Sequence, residues 1–476
     1  MNKLKAALPK GRLLEKTARL LDLAGWGMEG YNKEARLYAM QSTSYPHFCG
    51  KMFHEKDIAV QVAVGNYDLG ICGLDWVSEY MSRHPSCDIV KIELLPYGYG
   101  SLYAATSPLC ALQNEMQIRH FSGTFRIASE YPSLAESLAE RLRLKQFAVY
   151  PLWGSADAYP PENAELAVIP APTEAVLAKF GLVSLFKVLD YQTCLIANKK
   201  ALQSKDLSTL LSSLLVALPK LPAEERVDSK KDDCAVQTKA WNSIGCQLRM
   251  ALPDGHQQPH VKRMFEAAGI EMIGYPSADE RRPTSPTYTN ILFKQIRPQD
   301  MTFQVAGGSF DVAITGRDWL IAHKLSFPNS PVDELLDLKY GWVRIVAAVH
   351  NDVPVKTPAE LAAYFQNKGV RICTEYTTVA DDYASRMRFG NYRIIPTWGA
   401  TEAFLPDDAD IMVENTETGG TIRRNNLKII ETIFESTACL IVNTESLKSP
   451  DKRALIDNMV ERLQKALQKE NENQES

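Results

Sequence analysis

The segment best suited to hold an anion is Thr416-Glu417-Thr418-Gly419-Gly420-Thr421. It follows an apolar run, Ile411 to Val413, and the acid Glu414. Two adjacent glycines let backbone N–H groups turn toward one point, which makes an anion nest. A helix starting at this place adds partial positive charge. Thr418 and Thr421 offer hydroxyl donors, and Glu414 can accept from sugar hydroxyls. A phosphate cradle with a carboxylate one sugar away suits a phosphorylated pentose. The plainer alternative is a tight turn closing a strand, since glycine turns are common.

A second candidate is ALPKGRL at 7–13, where Lys10 and Arg12 flank Gly11 after an apolar run. Arginine binds phosphate through two N–H groups and lysine acts as a point charge. Alone, the pair reads equally as two solvated cations on a turn. Asp68 to Asp75 (DLGICGLD) and Asp311 to Asp318 (DVAITGRD) read as strand-to-helix turns, with the second aspartate capping the helix. Arg36 and Arg297 stand apart and read singly as surface arginines.

These motifs belong to elements that occur twice. AALPKGRLLE (6–15) matches MALPDGHQQ (250–258), and DIAVQVAVGNYDLGICGLD (57–75) matches DMTFQVAGGSFDVAITGRD (300–318). FRIASEYPSLAESLAERLR (125–143) matches VRICTEYTTVADDYASRMR (370–388). YPLWGSADAYP (150–160) matches IPTWGATEAFLP (395–406), and KVLDYQTCLIANKKAL (187–202) matches TIFESTACLIVNTESL (432–447). The offset stays near 244 residues, too long for a solenoid repeat of about 20–50 residues, so a whole domain is duplicated. The expected organisation is a first module at 1–220, a linker at 221–245, a second module at 246–468 and a disordered polar tail at 469–476. Within each copy, short β-branched runs alternate with amphipathic stretches, which predicts α/β modules with largely parallel sheets. Ligands in such sheets sit beyond the C-terminal strand ends, where most of the motifs fall.

Composition narrows the function classes. The net charge of -4 argues against a general nucleic-acid or membrane surface. No secretory h-region opens the chain, and no stretch approaches the roughly 20 apolar residues of a membrane helix. The nine cysteines lack CxxC spacing and read as thiols of a reducing, cytoplasmic compartment. His256 and His260 flank Pro259, which argues against a helix presenting both to one metal.

Taken in order, the motifs resemble the catalytic module of ATP phosphoribosyltransferase, the family that opens histidine biosynthesis. ALPKGRL at 7–13, Arg36-Leu37, Arg297 to Met301, the DLGICGLD segment at 68–75 and Val413 through Ile422 carry the resemblance. The resemblance implies two tandem bilobal modules like the type II periplasmic-binding-protein fold, paired as a pseudo-dimer. It implies transfer of 5-phosphoribosyl from phosphoribosyl pyrophosphate (PRPP) to N1 of ATP, with pyrophosphate leaving. Mg²⁺ is expected on the substrate phosphates, held by substrate and water rather than by protein side chains. Lys10, Arg12, Arg297 and Glu414 are the expected catalytic residues. Glu417, Thr418, Gly419, Gly420 and Thr421 form the expected PRPP loop, with Arg36 and Arg344 as further candidates for either substrate. Histidine as an inhibitor, and a regulatory subunit or a homo-oligomer, also follow from the resemblance.

The copies depart from the family pattern in complementary ways. In the first, Ile169 replaces Glu414, Pro172 removes a backbone donor and Glu174 replaces a glycine. In the second, Asp254 replaces Lys10 and His256 replaces Arg12, which repels phosphate. His54 stands where the second copy has Arg297. The expectation is one composite site, with the loop and Arg297 from the second copy and Lys10, Arg12 and Arg36 from the first. The alternatives are a ligand-sensing paralogue without catalysis, or a phosphoribosyltransferase acting on another base.

Overall fold

The structure is a computed structural model that describes residues 3–34, 37–110, 112, 114–222, 248–277 and 280–475. Arg36 and all but the first two residues of the expected linker lie outside the described residues.

Each copy folds into two lobes, each with its own sheet. In the first copy the chain builds one sheet in the order Ala39–Gln41, Phe48–Phe53, Leu4–Pro9, Leu69–Gly73, Thr193–Asn198, Ile89–Leu94. It leaves after Leu94 to build a second sheet, in the order Val183–Tyr191, Gly100–Thr106, Leu166–Ala171, Phe125–Ser129, Phe147–Pro151. It returns at Thr193. The second copy repeats this order with Ile291–Ile296, Leu248–Pro253, Val312–Gly316, Ala438–Asn443 and Val332–Asp337 in one lobe. Tyr392–Pro396, Val370–Thr374, Ile411–Thr416, Val343–His350 and Leu427–Ser436 form its other lobe.

The sheets are mixed, not largely parallel. Leu4–Pro9 runs parallel to both its neighbours, but the returning strand Thr193–Asn198 lies antiparallel to Leu69–Gly73 and Ile89–Leu94. A chain that visits the other lobe and comes back directly as a strand enters from the opposite end, which imposes the reversed direction. The parallel strands are still the ones whose ends carry the motifs. Leu4–Pro9 is buried from Ala6 onward and releases Lys10 at its C-terminal edge. Gly11 then turns at φ +88°, a value that favours glycine. The helix Leu14–Leu23 packs back through Leu14, Thr17, Leu20 and Leu21, spaced for one helical face.

The two copies cross. The first lobe of copy one shares a core with the second lobe of copy two: Leu8, Phe53 and Tyr67 cluster with Phe404, Leu405, Met412 and Ile422. Reciprocally, Tyr159, Ala167 and Ile169 cluster with Ile296, Met301, Phe310 and Ile441. Equivalent polar clamps close both faces. Lys51 Nζ reaches Asp407 at 2.8 Å and Asp408 at 3.5 Å, and its counterpart Lys294 reaches Glu162 and Asn163, each at 2.6 Å. Asp300 accepts from the Trp153 N–H at 3.2 Å, and Asp57 receives the N–H of Trp398. Isolated buried charges would cost several kcal/mol, so these pairs bind each lobe to one register.

The segment expected to be disordered from residue 469 continues the last helix, Pro450–Glu475. Its Lys, Glu and Gln residues are good helix formers, and extending an existing helix avoids the nucleation cost.

Candidate functional site

The loop after Ile411–Thr416 is built as a cradle. Glu414 is buried, and its carboxylate accepts from Thr401 Oγ1 at 2.9 Å, from the Glu375 N–H at 3.3 Å and from the Asn415 N–H at 3.1 Å. Thr416 Oγ1 accepts from the Gly419 N–H at 3.0 Å. Gly419, at φ +69°, then caps the short helix Gly420–Arg424. Asn415 Nδ2 donates to Tyr376 Oη at 2.8 Å, and Tyr376 donates to Asp318 at 2.6 Å. The loop is thereby tied to the other lobe of its own copy. Asp318 also accepts from Ser436 Oγ at 2.8 Å, so it anchors a network as well as facing the start of its own helix.

This loop walls a cavity of about 430 Å³. Glu417, Thr418, Gly420 and Thr421 line it, along with Glu375, Thr401, Glu402 and Glu414. The acids repel one another. Burial, with Glu402 nearby, pushes the Glu375 carboxyl up to about 7. Burial raises Glu402 and, with Glu375 beside it, raises Glu414 well above the usual range. A cation or a hydrogen-bonding ligand entering here relieves that repulsion.

One lining residue comes from the first copy: Tyr38. Its N–H donates to Asn425 Oδ1 at 3.4 Å, just beyond the loop. Lys10 Nζ donates to Tyr38 Oη at 3.0 Å and lies 4.8 Å from the ring centre. The Lys10 charge also opposes the rise at Glu402. Lys10 is thus held beside Tyr38, while its own side chain lines a larger cavity that adjoins the loop cavity.

Arg12 and Arg297 line that larger cavity, of about 810 Å³, in the cleft between the lobes of copy one. Arg12 binds Glu55 through two N–H groups at 2.9 and 3.0 Å and reaches Asp75 at 3.3 Å. Asp75 also accepts from Tyr131 Oη at 2.8 Å and is therefore more than a helix cap. Arg297 reaches Asp254 at 3.4 Å and lies across Gly154, where an added Cβ would sit 2.5 Å from Arg297 Nε. Arg297 therefore faces the degenerate loop, whose Pro170, Ala171 and Pro172 line the same cavity. His54, its counterpart, also lines it; burial, with Lys56, Lys10 and Arg12 around it, lowers His54 to about 4 and keeps it neutral. The two cavities meet at Gly399 and Ala400, which line both. Arg344 sits opposite Thr416 in the neighbouring strand, 5.8 Å from the Trp342 ring, and does not line the loop cavity.

Tyr38, Glu375, Thr401 and Glu402 were not singled out in the sequence. The matched repeats contained a signal for three of them, since SEY/TEY and WGSAD/WGATE recur in both copies. Tyr38 carried none. Among the described residues, no three His, Cys, Asp or Glu side chains converge to hold a metal ion, and no helix is long and apolar enough to cross a membrane.

A family profile described as ATP phosphoribosyltransferase (HisG) matches residues 42–218 and 297–465, one segment in each copy. The chain belongs to the ATP phosphoribosyltransferase family. An ATP phosphoribosyltransferase of Chlorobium luteolum is 36% identical over 230 residues, 46% of this chain and 71% of that protein. One of Pelotomaculum thermopropionicum is 31% identical over 226 residues, 46% of this chain and 73% of that protein. Among solved structures, an ATP phosphoribosyl transferase (HisG:HisZ) complex from Thermotoga maritima aligns at 22% identity and TM-score 0.39, over 46% of this chain and 98% of that chain. The alkanesulfonate-binding protein SsuA of Xanthomonas axonopodis aligns at 9% identity and TM-score 0.30, over 48% of this chain and 76% of that chain. The two curated relatives named each match about one copy's length, whereas the ATP phosphoribosyltransferase profile matches a segment in both copies.

Proposed function

We propose that this chain transfers 5-phosphoribosyl from PRPP to N1 of ATP, releasing pyrophosphate, at one composite site centred on the 414–421 loop. The observation that carries the proposal is Tyr38 of copy one, which lines the loop cavity of copy two and holds Lys10 by a hydrogen bond at the neighbouring cavity. The turn from Thr416 to Thr421 takes the 5-phosphate. Glu414, already fixed by three donors, takes the ribose hydroxyls. Lys10 offsets charge on the departing pyrophosphate. The attacking N1 has an available lone pair and needs no strong base. The residues therefore act by positioning and electrostatics.

Mg²⁺ would neutralise substrate phosphate oxygens. Glu375 and Glu402 supply carboxylate oxygens on that cavity, which suits an ion held mainly by substrate and water. Family membership extends the proposal to histidine as an inhibitor, to a regulatory subunit or further copies of the chain, and to a cytoplasmic setting.

The test is product formation from ATP, PRPP and Mg²⁺ by the purified chain. Wild type is expected to make phosphoribosyl-ATP. Glu414→Ala and Lys10→Ala are each expected to lose about 10²–10³-fold in rate. No product from wild type, with PRPP still bound, would move the assignment to a ligand sensor. Product from another base and none from ATP would correct the acceptor.

A further inference from the structure

The helix Glu55–Ala63 of copy one brings a carboxylate to copy two. Asp57 lies in its first turn and is buried. One carboxylate oxygen receives the N–H of Trp398. Among the described residues the other, Oδ2, is buried and meets no donor. A buried oxygen without a partner costs free energy that an apolar side chain would not. What the acid holds must offset that cost.

It holds the start of an unusual turn. After Trp398 come Gly399 at φ 112° and Ala400 at φ 53°, the second a backbone that residues with a Cβ rarely adopt. Such conformations persist where their surroundings hold them. The turn delivers Thr401, whose Oγ1 donates to Glu414 Oε2 at 2.9 Å and lies 2.9 Å from Thr397 Oγ1. Thr401 and Glu414 are both buried. Contacts thus run from Asp57 of copy one, through the Trp398 N–H and the turn, to the carboxylate that lines the loop cavity.

The other corner supplies the comparison. Asp300, the counterpart of Asp57, accepts from the Trp153 N–H with both oxygens, each at 3.2 Å. The turn that follows has the same left-handed residue, Ser155 at φ 56°. It ends, however, at Ala156 where the other copy has Thr401, and Ile169 stands where the other has Glu414. Ala156 and Ile169 lie in one apolar cluster. The clamp on the turn is common to both copies. The hydroxyl–carboxylate pair that it serves belongs to copy two.

We propose that Asp57 of copy one is a positioning residue for Glu414 of copy two, acting through the turn from Trp398 to Thr401. This rests on the assignment of the loop cavity to PRPP.

The experiment measures PRPP affinity by calorimetry on the full chain, with Mg²⁺ and without ATP. Asp57→Ala and Thr401→Val are each expected to weaken PRPP about tenfold, the size of one lost hydrogen bond. The double variant is expected to lose about tenfold again and not a hundredfold, because both changes act through Glu414. Asp57→Asn keeps an oxygen for the Trp398 N–H and is expected to bind PRPP like wild type. Asp300→Ala removes the equivalent clamp and is expected to lower stability in denaturant titration while PRPP affinity stays within about twofold of wild type. If Asp57→Ala does not fold, Asp57→Ser, with a hydroxyl too short to replace the carboxylate, carries the same expectations. A loss of about a hundredfold in the double variant overturns the proposal, since the two residues then act independently. Equal losses of affinity in Asp57→Ala and Asp300→Ala overturn it too, because the clamp is then a matter of folding. So does a loss in Asp57→Asn, which would make the charge and not the acceptor the active feature. A wild type that binds no PRPP removes the loop assignment and this proposal together. A wild type that binds PRPP with the expected pattern of variants but transfers nothing supports the positioning role and removes the catalytic reading alone.

Discussion

The same corner of the fold occurs twice, with opposite charge. At one corner Lys10 ends its strand beside Tyr38, and Ala400 and Glu402 face it from the other copy. At the other, Asp254 ends the equivalent strand, with Ser155 and Asp157 facing it. Ser155 and Ala400 share a left-handed backbone, φ 56° and 53°. Ser155 Oγ donates to Asp254 at 2.8 Å; Ala400 has no hydroxyl to offer Lys10. Arg281 binds Asp157 at 2.6 Å and comes within 3.9 Å of Asp254, and Arg297 adds a contact at 3.4 Å. One corner satisfies its charges internally and is closed by ion pairs. The other leaves acids in mutual repulsion around a cavity. Charges paired within the protein need no ligand to satisfy them, whereas acids left in mutual repulsion favour one.

The largest test makes the open corner like the closed one. Lys10→Asp places a further acid beside the cavity of Glu375, Glu402, Glu414 and Glu417. The rate of phosphoribosyl transfer is expected to fall by about 10³-fold or more, beyond the loss in Lys10→Ala, because a repulsion is added to a lost attraction. An equal loss in both variants would make Lys10 a spacer rather than a charge.

The next test opens the closed corner. Arg281→Ala leaves Asp157 and Asp254 without their shared cation. A loss of about 3 kcal/mol in unfolding free energy is expected in denaturant titration, with transfer unchanged under folded conditions. A matching loss of activity would show that the corners are coupled.

The third is a pH test. Glu375 is raised from 4.5 to about 7. The folded state therefore holds a proton that the unfolded state releases between these values. Stability from this group is full below about pH 4.5 and is lost as pH rises through about 7. Glu375→Gln is expected to flatten that fall, by on the order of 1–3 kcal/mol in stability measured from pH 5 to 8. Its counterpart Glu130 is also raised by burial, but Lys56 at 3.5 Å and Arg297 oppose the rise, so Glu130→Gln is expected to flatten the fall less. The same profile for both variants would erase the distinction between the corners.

The duplication, the bilobal modules and the 414–421 cradle were legible because each depends on local order: matching repeats, strand runs and a glycine turn after an acid. The contrast between Lys10 and Asp254 was legible because the two copies could be compared position by position. Arg297 was not. Its place in the repeat was clear, but the helix it precedes faces the other copy, so linear order could not say which cavity it enters. Tyr38 was hidden for the same reason, since it meets the loop cavity only across the interface. Parallel sheets were overestimated because the direction of a returning strand depends on the route of the chain between lobes. The helical tail was missed because polar composition was read as disorder while its helix propensity is high.

The crossed packing of the copies has a further consequence. In a pair of identical chains every substitution appears twice, so a change that spoils one site spoils both. Here the partners are written in separate stretches of one sequence, and Asp254 could take an acid while Lys10 kept its amine. The covalent tether also removes dilution as a way of separating them, because the second half is always present at high effective concentration. Specific activity should therefore hold constant as the enzyme is diluted to concentrations at which a two-chain dimer would fall apart.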